Sequence, residues 1–231
     1  MVSTIDMVIA LFGVLLYMST LWVVSVRRGE ADIVDFGWAS SVGALGVWFS
    51  AVGSGDLLTR VMVGSVAAVW AFRLSYHLLV KRVLKPGEDG RYRELRESWG
   101  DSASKNFLLF FVVQALLAFI LSISFLPAVS NDREGFSRIA QYLGVLLAMV
   151  AIVGESVSDA QLDRFVKQPG NRGQVCNIGF WNYSRHPNYF FEWLCWCSYP
   201  LLAWGAPVWG LSLIAGTRSL SSLLGLLRSD P

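Results

Sequence analysis

The chain has 231 residues, of which 54% are hydrophobic and only 16% charged, with a formal net charge of +2. A soluble domain carries about 25% charged residues, so this composition excludes an ordinary water-soluble globule and points to a bilayer. The three cysteines, Cys176, Cys195 and Cys197, are odd in number and form no CxxC pair, which argues against disulfides and against zinc.

In chain order, the first apolar run is Met7–Val26, uncharged and without a small-residue cleavage site before Arg27. It reads as a retained helix and not as a cleaved signal. A second uncharged run, 36–55, follows Asp35 within Asp35-Phe-Gly-Trp38. The third, 61–80, is interrupted by Arg73 and His77, and leads into a polar segment, 81–105. The fourth run, 106–130, is uncharged; the fifth, 139–154, ends at Glu155 and Asp159. A second polar loop, 161–185, precedes a sixth run that begins at Pro187. Gly205-Ala206-Pro207 divides what remains into two short spans. The expected fold is all-α: one polytopic membrane domain over residues 1–231, a bundle of about seven transmembrane helices. Threading seven spans puts 16 of the 19 Lys and Arg on one side, Arg218 and Arg228 among them, and only Arg60, Arg133 and Arg138 on the other. The basic side reads as the cytoplasm, with the N-terminus outside.

Charges inside membrane helices are costly, so they are candidates for function. They occur here at helical spacing: Arg73 and His77, Glu155 and Asp159, and Asn188 and Glu192 are each four apart and share a helix face. Any one pair reads as a helix end snorkelling into water. Three pairs at one level, with Asp35 beside them, favour a site. The stretch Asn182-Tyr-Ser-Arg-His-Pro-Asn-Tyr-Phe-Phe-Glu-Trp193 concentrates this signal. Pro187 suits the first turn of a helix, which sets Arg185 and His186 beside a helix N-terminus, where an anion such as a nucleotide phosphate is favoured. The bland alternative is an interfacial anchor of Arg and Tyr. Lys167-Gln-Pro-Gly-Asn-Arg172 and Gly87-Glu-Asp-Gly-Arg-Tyr92 read as solvated loops, the latter as a possible lid. The Trp and Phe residues read as lipid-facing and core bulk. Neither a GxGxxG nor a P-loop is present, so a nucleotide would be bound in a non-Rossmann manner. No internal repeat appears, and nothing resembles a broken-helix transporter pair.

Asp35-Phe-Gly-Trp38, Arg73-Leu-Ser-Tyr-His77, Gly87-Glu-Asp-Gly-Arg-Tyr92 and Tyr183-Ser-Arg-His-Pro-Asn-Tyr189 with Glu192 resemble the bacterial membrane proteins related to steroid 5α-reductase. The resemblance covers residues 35–204, and Ser-Arg-His-Pro-Asn-Tyr is its most specific part. It implies an inner-membrane reductase that binds NADPH from the cytoplasm and reduces a conjugated C=C bond in a steroid-like or isoprenoid lipid. Matched to it, Asp159, Arg185, Asn188 and Tyr189 hold the nucleotide, with Arg73, His77 and His186 in the same set. Glu192 is an acid beside them, and Asp35 and Tyr76 lie on the helices expected to carry the catalytic acid. The expected partners are a lipid-like small molecule and membrane lipids; neither nucleic acid nor a metal is expected.

Two departures stand out. Phe191 fills a place where the family has Gly, which would narrow a cofactor groove. The C-terminal segment, 205–231, lacks the family's further helix and polar tail, which leads us to expect an open groove and weak turnover. Isoprenylcysteine carboxyl methyltransferases share a similar Arg-His-Pro element, so a methyltransferase using S-adenosylmethionine is the rival enzyme reading. A degenerate, non-catalytic membrane protein is the third.

Overall fold

Ser3 begins the first helix with a capping box: its hydroxyl accepts from the Asp6 amide at 3.2 Å, and its own amide donates to the Asp6 carboxylate at 3.3 Å. Helix α1 then runs over Thr4–Arg28 and ends at Gly29, whose φ of 73° suits a residue without a Cβ. The computed structural model describes residues 2–132, 136–214 and 216, and among these every regular element is helical. After α1 come α2 (Ile33–Val52), α3 (Leu57–Leu78), α4 (Gly90–Trp99), α5 (Ala103–Ser122), α6 (Leu126–Val129), α7 (Phe136–Lys167), α8 (Pro187–Trp196) and α9 (Ser198–Leu202). Short 3-10 turns join several of them, and α3 is extended by a π-helical turn, Leu79–Val83.

Helices α2 and α3 approach closely because α2 presents glycine to alanine. A Cβ on Gly43 would stand 2.1 Å from the Cβ of Ala71, and one on Gly46 would stand 2.6 Å from that of Ala67. Small residues at such a contact let two backbones pack by van der Waals attraction where lipid offers no hydrophobic drive. The core between the helices is aromatic, with Phe49, Trp70, Phe107, Phe111, Phe125 and Tyr199 fully buried.

Four stretches are long and apolar enough to cross a membrane: Thr4–Arg28, Leu57–Val83, Gly90–Val129 and Ser137–Lys167. They contain the first, third and fifth apolar runs of the sequence and all but the last residue of the fourth. The second run is a helix, α2, of 20 residues, which is not among these four. The sixth run is broken: α8 has ten residues, and α9 five. The expected turn at Gly205 is present, with Gly205 at φ 80°. Arg133, Arg218, Arg228 and most of the expected seventh span lie outside the described residues.

Gly87–Tyr92 is a solvated loop only in part: 87–89 are irregular and Gly87 is exposed, but α4 begins at Gly90. Asp89 caps α4 by accepting from the Arg91 amide at 3.0 Å, and Tyr92 is buried against Phe107 and Phe110. The sequence hid this because Tyr92 is an isolated aromatic among charges, and its hydrogen-bond partner, Asp35, is remote in the chain.

Candidate functional site

Three helices each contribute one stripe. On α3, Trp70, Arg73 and His77 lie at three- and four-residue spacing, and Lys81 continues the series into the π-helical turn. Glu155, Asp159 and Asp163 are successively four apart on α7, as are Asn188, Glu192 and Trp196 on α8. Such spacing keeps side chains on one face, and the three faces meet in a polar seam.

Arg73 bridges the α7 stripe, one guanidinium nitrogen donating to Glu155 and the other to Asp159. His77 Nδ1 lies 3.6 Å from the same Asp159 carboxylate, and the Asn188 amide donates to its other oxygen at 3.2 Å. Further along, Lys81 pairs with Asp163. At the deep end, Glu192 is held by two indoles: Trp70 donates to one oxygen at 2.9 Å and Trp196 to the other at 2.8 Å. Side-chain exposure rises along α7 from 6% at Glu155 through 13% at Asp159 to 33% at Asp163, so the seam opens at the Lys81 end. Burying these charges is tolerable only because each meets a partner.

The structure thus brings together six of the residues singled out in the sequence: Arg73, His77, Glu155, Asp159, Asn188 and Glu192. It adds Trp70 and Trp196, which composition alone casts as bulk; their four-residue relation to Glu192 and three-residue relation to Arg73 were the available signal.

Asp35 is engaged elsewhere. Its carboxylate takes Arg82, the Tyr92 hydroxyl at 2.7 Å and Arg91 at 3.4 Å, tying the start of α2 to the π-helical turn and to α4. Neighbouring Asp32 accepts from the Asp89 amide at 3.0 Å, and burial pushes its carboxyl above the usual range. Tyr76 stands on another face of α3, stacked on Phe72, at the end of an apolar groove of about 360 Å³ between α2 and α3.

Arg185 lines a separate hollow of about 290 Å³, with Leu162, Cys176 and Trp181. The loop that forms it is pinned to α7: the Trp181 indole donates to the Ser158 carbonyl and the Phe180 amide to the Gln161 side chain, both at 2.9 Å. Gly179, at φ 57°, permits this, because a Cβ there would stand 2.2 Å from the Gln161 amide nitrogen. His186 and Tyr189 flank the first turn of α8, their rings 5.5 Å apart. Phe191 packs its ring into a notch at Gly154, where a Cβ would lie 2.3 Å from the ring edge. The bulk at position 191 is therefore accommodated across the interface, on α7.

No curated protein and no solved structure matches the chain. A family model described as "Protein of unknown function (DUF1295)" matches residues 21–227, a stretch that contains the whole seam. This membrane protein, with its polar seam between α3, α7 and α8, belongs to that family.

Proposed function

We propose that the chain is a seven-helix membrane reductase that takes NADPH from the cytoplasm and reduces a C=C bond conjugated with a ketone in a steroid-like or isoprenoid lipid. The observation that carries this reading is the seam: a buried, hydrogen-bonded set of charges that opens beside the N-terminus of α8. The proposed orientation rests on the 16-to-3 division of Lys and Arg.

Arg73 is already matched by two carboxylates, so it offers little to a phosphate. The residues that fit an anionic dinucleotide are Arg185 and His186 beside the first turn of α8, where Pro187 opens the helix and the helix dipole favours negative charge. Asn188 links that turn to Asp159 and can orient the bound group. When bound, NADPH would supply the hydride. The chain's own part is to exclude water and to hold the ketone: the Tyr76 hydroxyl, at the end of the α2–α3 groove, donates a hydrogen bond to the ketone oxygen.

One observation favours the methyltransferase reading: three seam carboxylates, Glu155, Asp159 and Glu192, face a single guanidinium, and surplus negative charge suits a sulfonium. Thermal unfolding of the purified protein in detergent separates the readings. A ligand at 100 times its Kd stabilises the native state by about 2.7 kcal/mol. NADPH should do so for the wild type and fail for Arg185→Ala. Stabilisation by S-adenosylmethionine alone replaces the reductase with the methyltransferase, and stabilisation by neither leaves a non-catalytic protein.

A further inference from the structure

The deep end of the seam has an acceptor too many. Glu155 is buried; one of its oxygens takes Arg73, and the other is buried without any donor. Glu192 accepts one indole on each oxygen, which leaves each with a second lone pair. Glu155 and Glu192 each follow a member of the Gly154–Phe191 contact, and the side chains that hold them, Arg73 and Trp70, stand one turn apart on α3, which brings the two carboxyl groups together.

Every element packed around the pair contributes known groups. Helix α3 presents Trp70, Arg73 and His77; α7 presents Asp159; α8 presents Asn188, Cys195 and Trp196; α9 presents Tyr199. Of these only Arg73 is a fixed cation. Were His77 also charged, two cations would still face three carboxylates. A bare carboxylate oxygen in an apolar interior costs several kcal/mol unless a donor reaches it. None of the neighbouring hydroxyl or thiol groups reaches Glu155; the Tyr199 hydroxyl is itself buried without a partner.

We infer that Glu155 and Glu192 form a proton-storage pair, one proton lying between the facing carboxyl groups and exchanging with water along Asp159, His77 and Asp163. Loading forms one O–H bond on one glutamate and leaves the other a carboxylate; the proton comes from water at the mouth, and no electron moves. The α7 stripe supplies the route, since its exposure grows stepwise from Glu155 to Asp163. The pair is independent of which cofactor the seam serves, because it follows from donor and acceptor geometry within the chain alone.

Infrared spectroscopy of the purified protein in detergent at pH 7, with carboxyl-13C glutamate incorporated, tests the inference. The wild type should show one protonated-carboxyl C=O band that moves with the label and shifts in D2O. Glu155→Gln and Glu192→Gln should each lose it, whereas Asp163→Asn should keep it. Absence of the band in the folded wild type, or its survival in both Gln variants, overturns the pair. If the Gln variants fail to fold, the labelled wild-type spectrum decides alone: a label-sensitive glutamic acid band supports the pair and its absence refutes it. A failure of NADPH to bind would not alter this spectrum.

Discussion

Helices α3 and α7 carry a polar cluster at each end, and the two are built differently. At the start of α3, Asp56 meets Arg138 at 2.9 Å and caps the Thr59 amide at 2.9 Å. Arg138 also donates to the Gln141 side-chain oxygen, Oε1, at 3.0 Å. There one anion meets one cation, and the cluster simply fastens α7 to α3. At the seam three carboxylates meet one guanidinium, and indoles complete the coordination. A cluster whose charges cancel needs nothing else to explain it; surplus acid is stability forgone, and such groups concentrate where chemistry is done.

The largest test of this contrast removes each cation. Arg73→Ala leaves Glu155 and Asp159 buried without their partner and should cost about 3–5 kcal/mol. Arg138→Ala opens a more exposed pair and should cost far less, as surface ion pairs do. Thermal unfolding in detergent measures both, and equal losses would erase the distinction.

A smaller effect sharpens the seam's packing. Gly154→Ala should cost about 1–3 kcal/mol by driving a methyl group into the Phe191 ring. In the double variant with Phe191→Ala, much of that loss should be regained, a coupling of about 0.5–3 kcal/mol in a double-mutant cycle. Strict additivity would show that the notch is not a real fit.

Smaller still is Asn188→Ala, which removes a single bond to Asp159 and should cost about 1 kcal/mol of stability.

The smallest concerns the balanced end. The Thr59 backbone amide first, then Arg138, hold the Asp56 carboxyl below its ordinary 3.8. A depressed folded value contributes stability that is complete above the unfolded value and is lost as pH falls through the folded one. Acid titration of unfolding should therefore show a slope below about pH 4 in the wild type that flattens in Asp56→Asn.

The seam was largely legible in the sequence because its residues are charged, lie within apolar runs and repeat at helical spacing. Arg73 with His77, Glu155 with Asp159, and Asn188 with Glu192 each declared a face, and the faces converge. What stayed hidden came from remote chain segments. Asp35 looked like a member of the set, yet its partners Arg82, Arg91 and Tyr92 lie about fifty residues on and draw it away. The role of Trp70 was masked because tryptophan serves equally as core, and only the fold sets its indole against Glu192. The break between α8 and α9 was legible but overlooked: Pro200 has no N–H to bond the Trp196 carbonyl, where α8 ends.

The π-helical turn at Leu79–Val83 gives the basic end of α3 a dependence on chain length. Its Leu84 amide reaches back five residues, to the Leu79 carbonyl at 2.9 Å, so the turn holds one residue more than an α-helix would. Each residue in an α-helix advances the side chains by about 100°. Excising one residue here would leave an unbroken α-helix but change its phase. Arg82 would inherit the direction Lys81 now has, toward Asp163, and Asp35 would keep only the longer of its guanidinium contacts, to Arg91. The pairing of α3 with α2 on one side and α7 on the other is thus a matter of counting: a single deletion would rewire it with every charge still present.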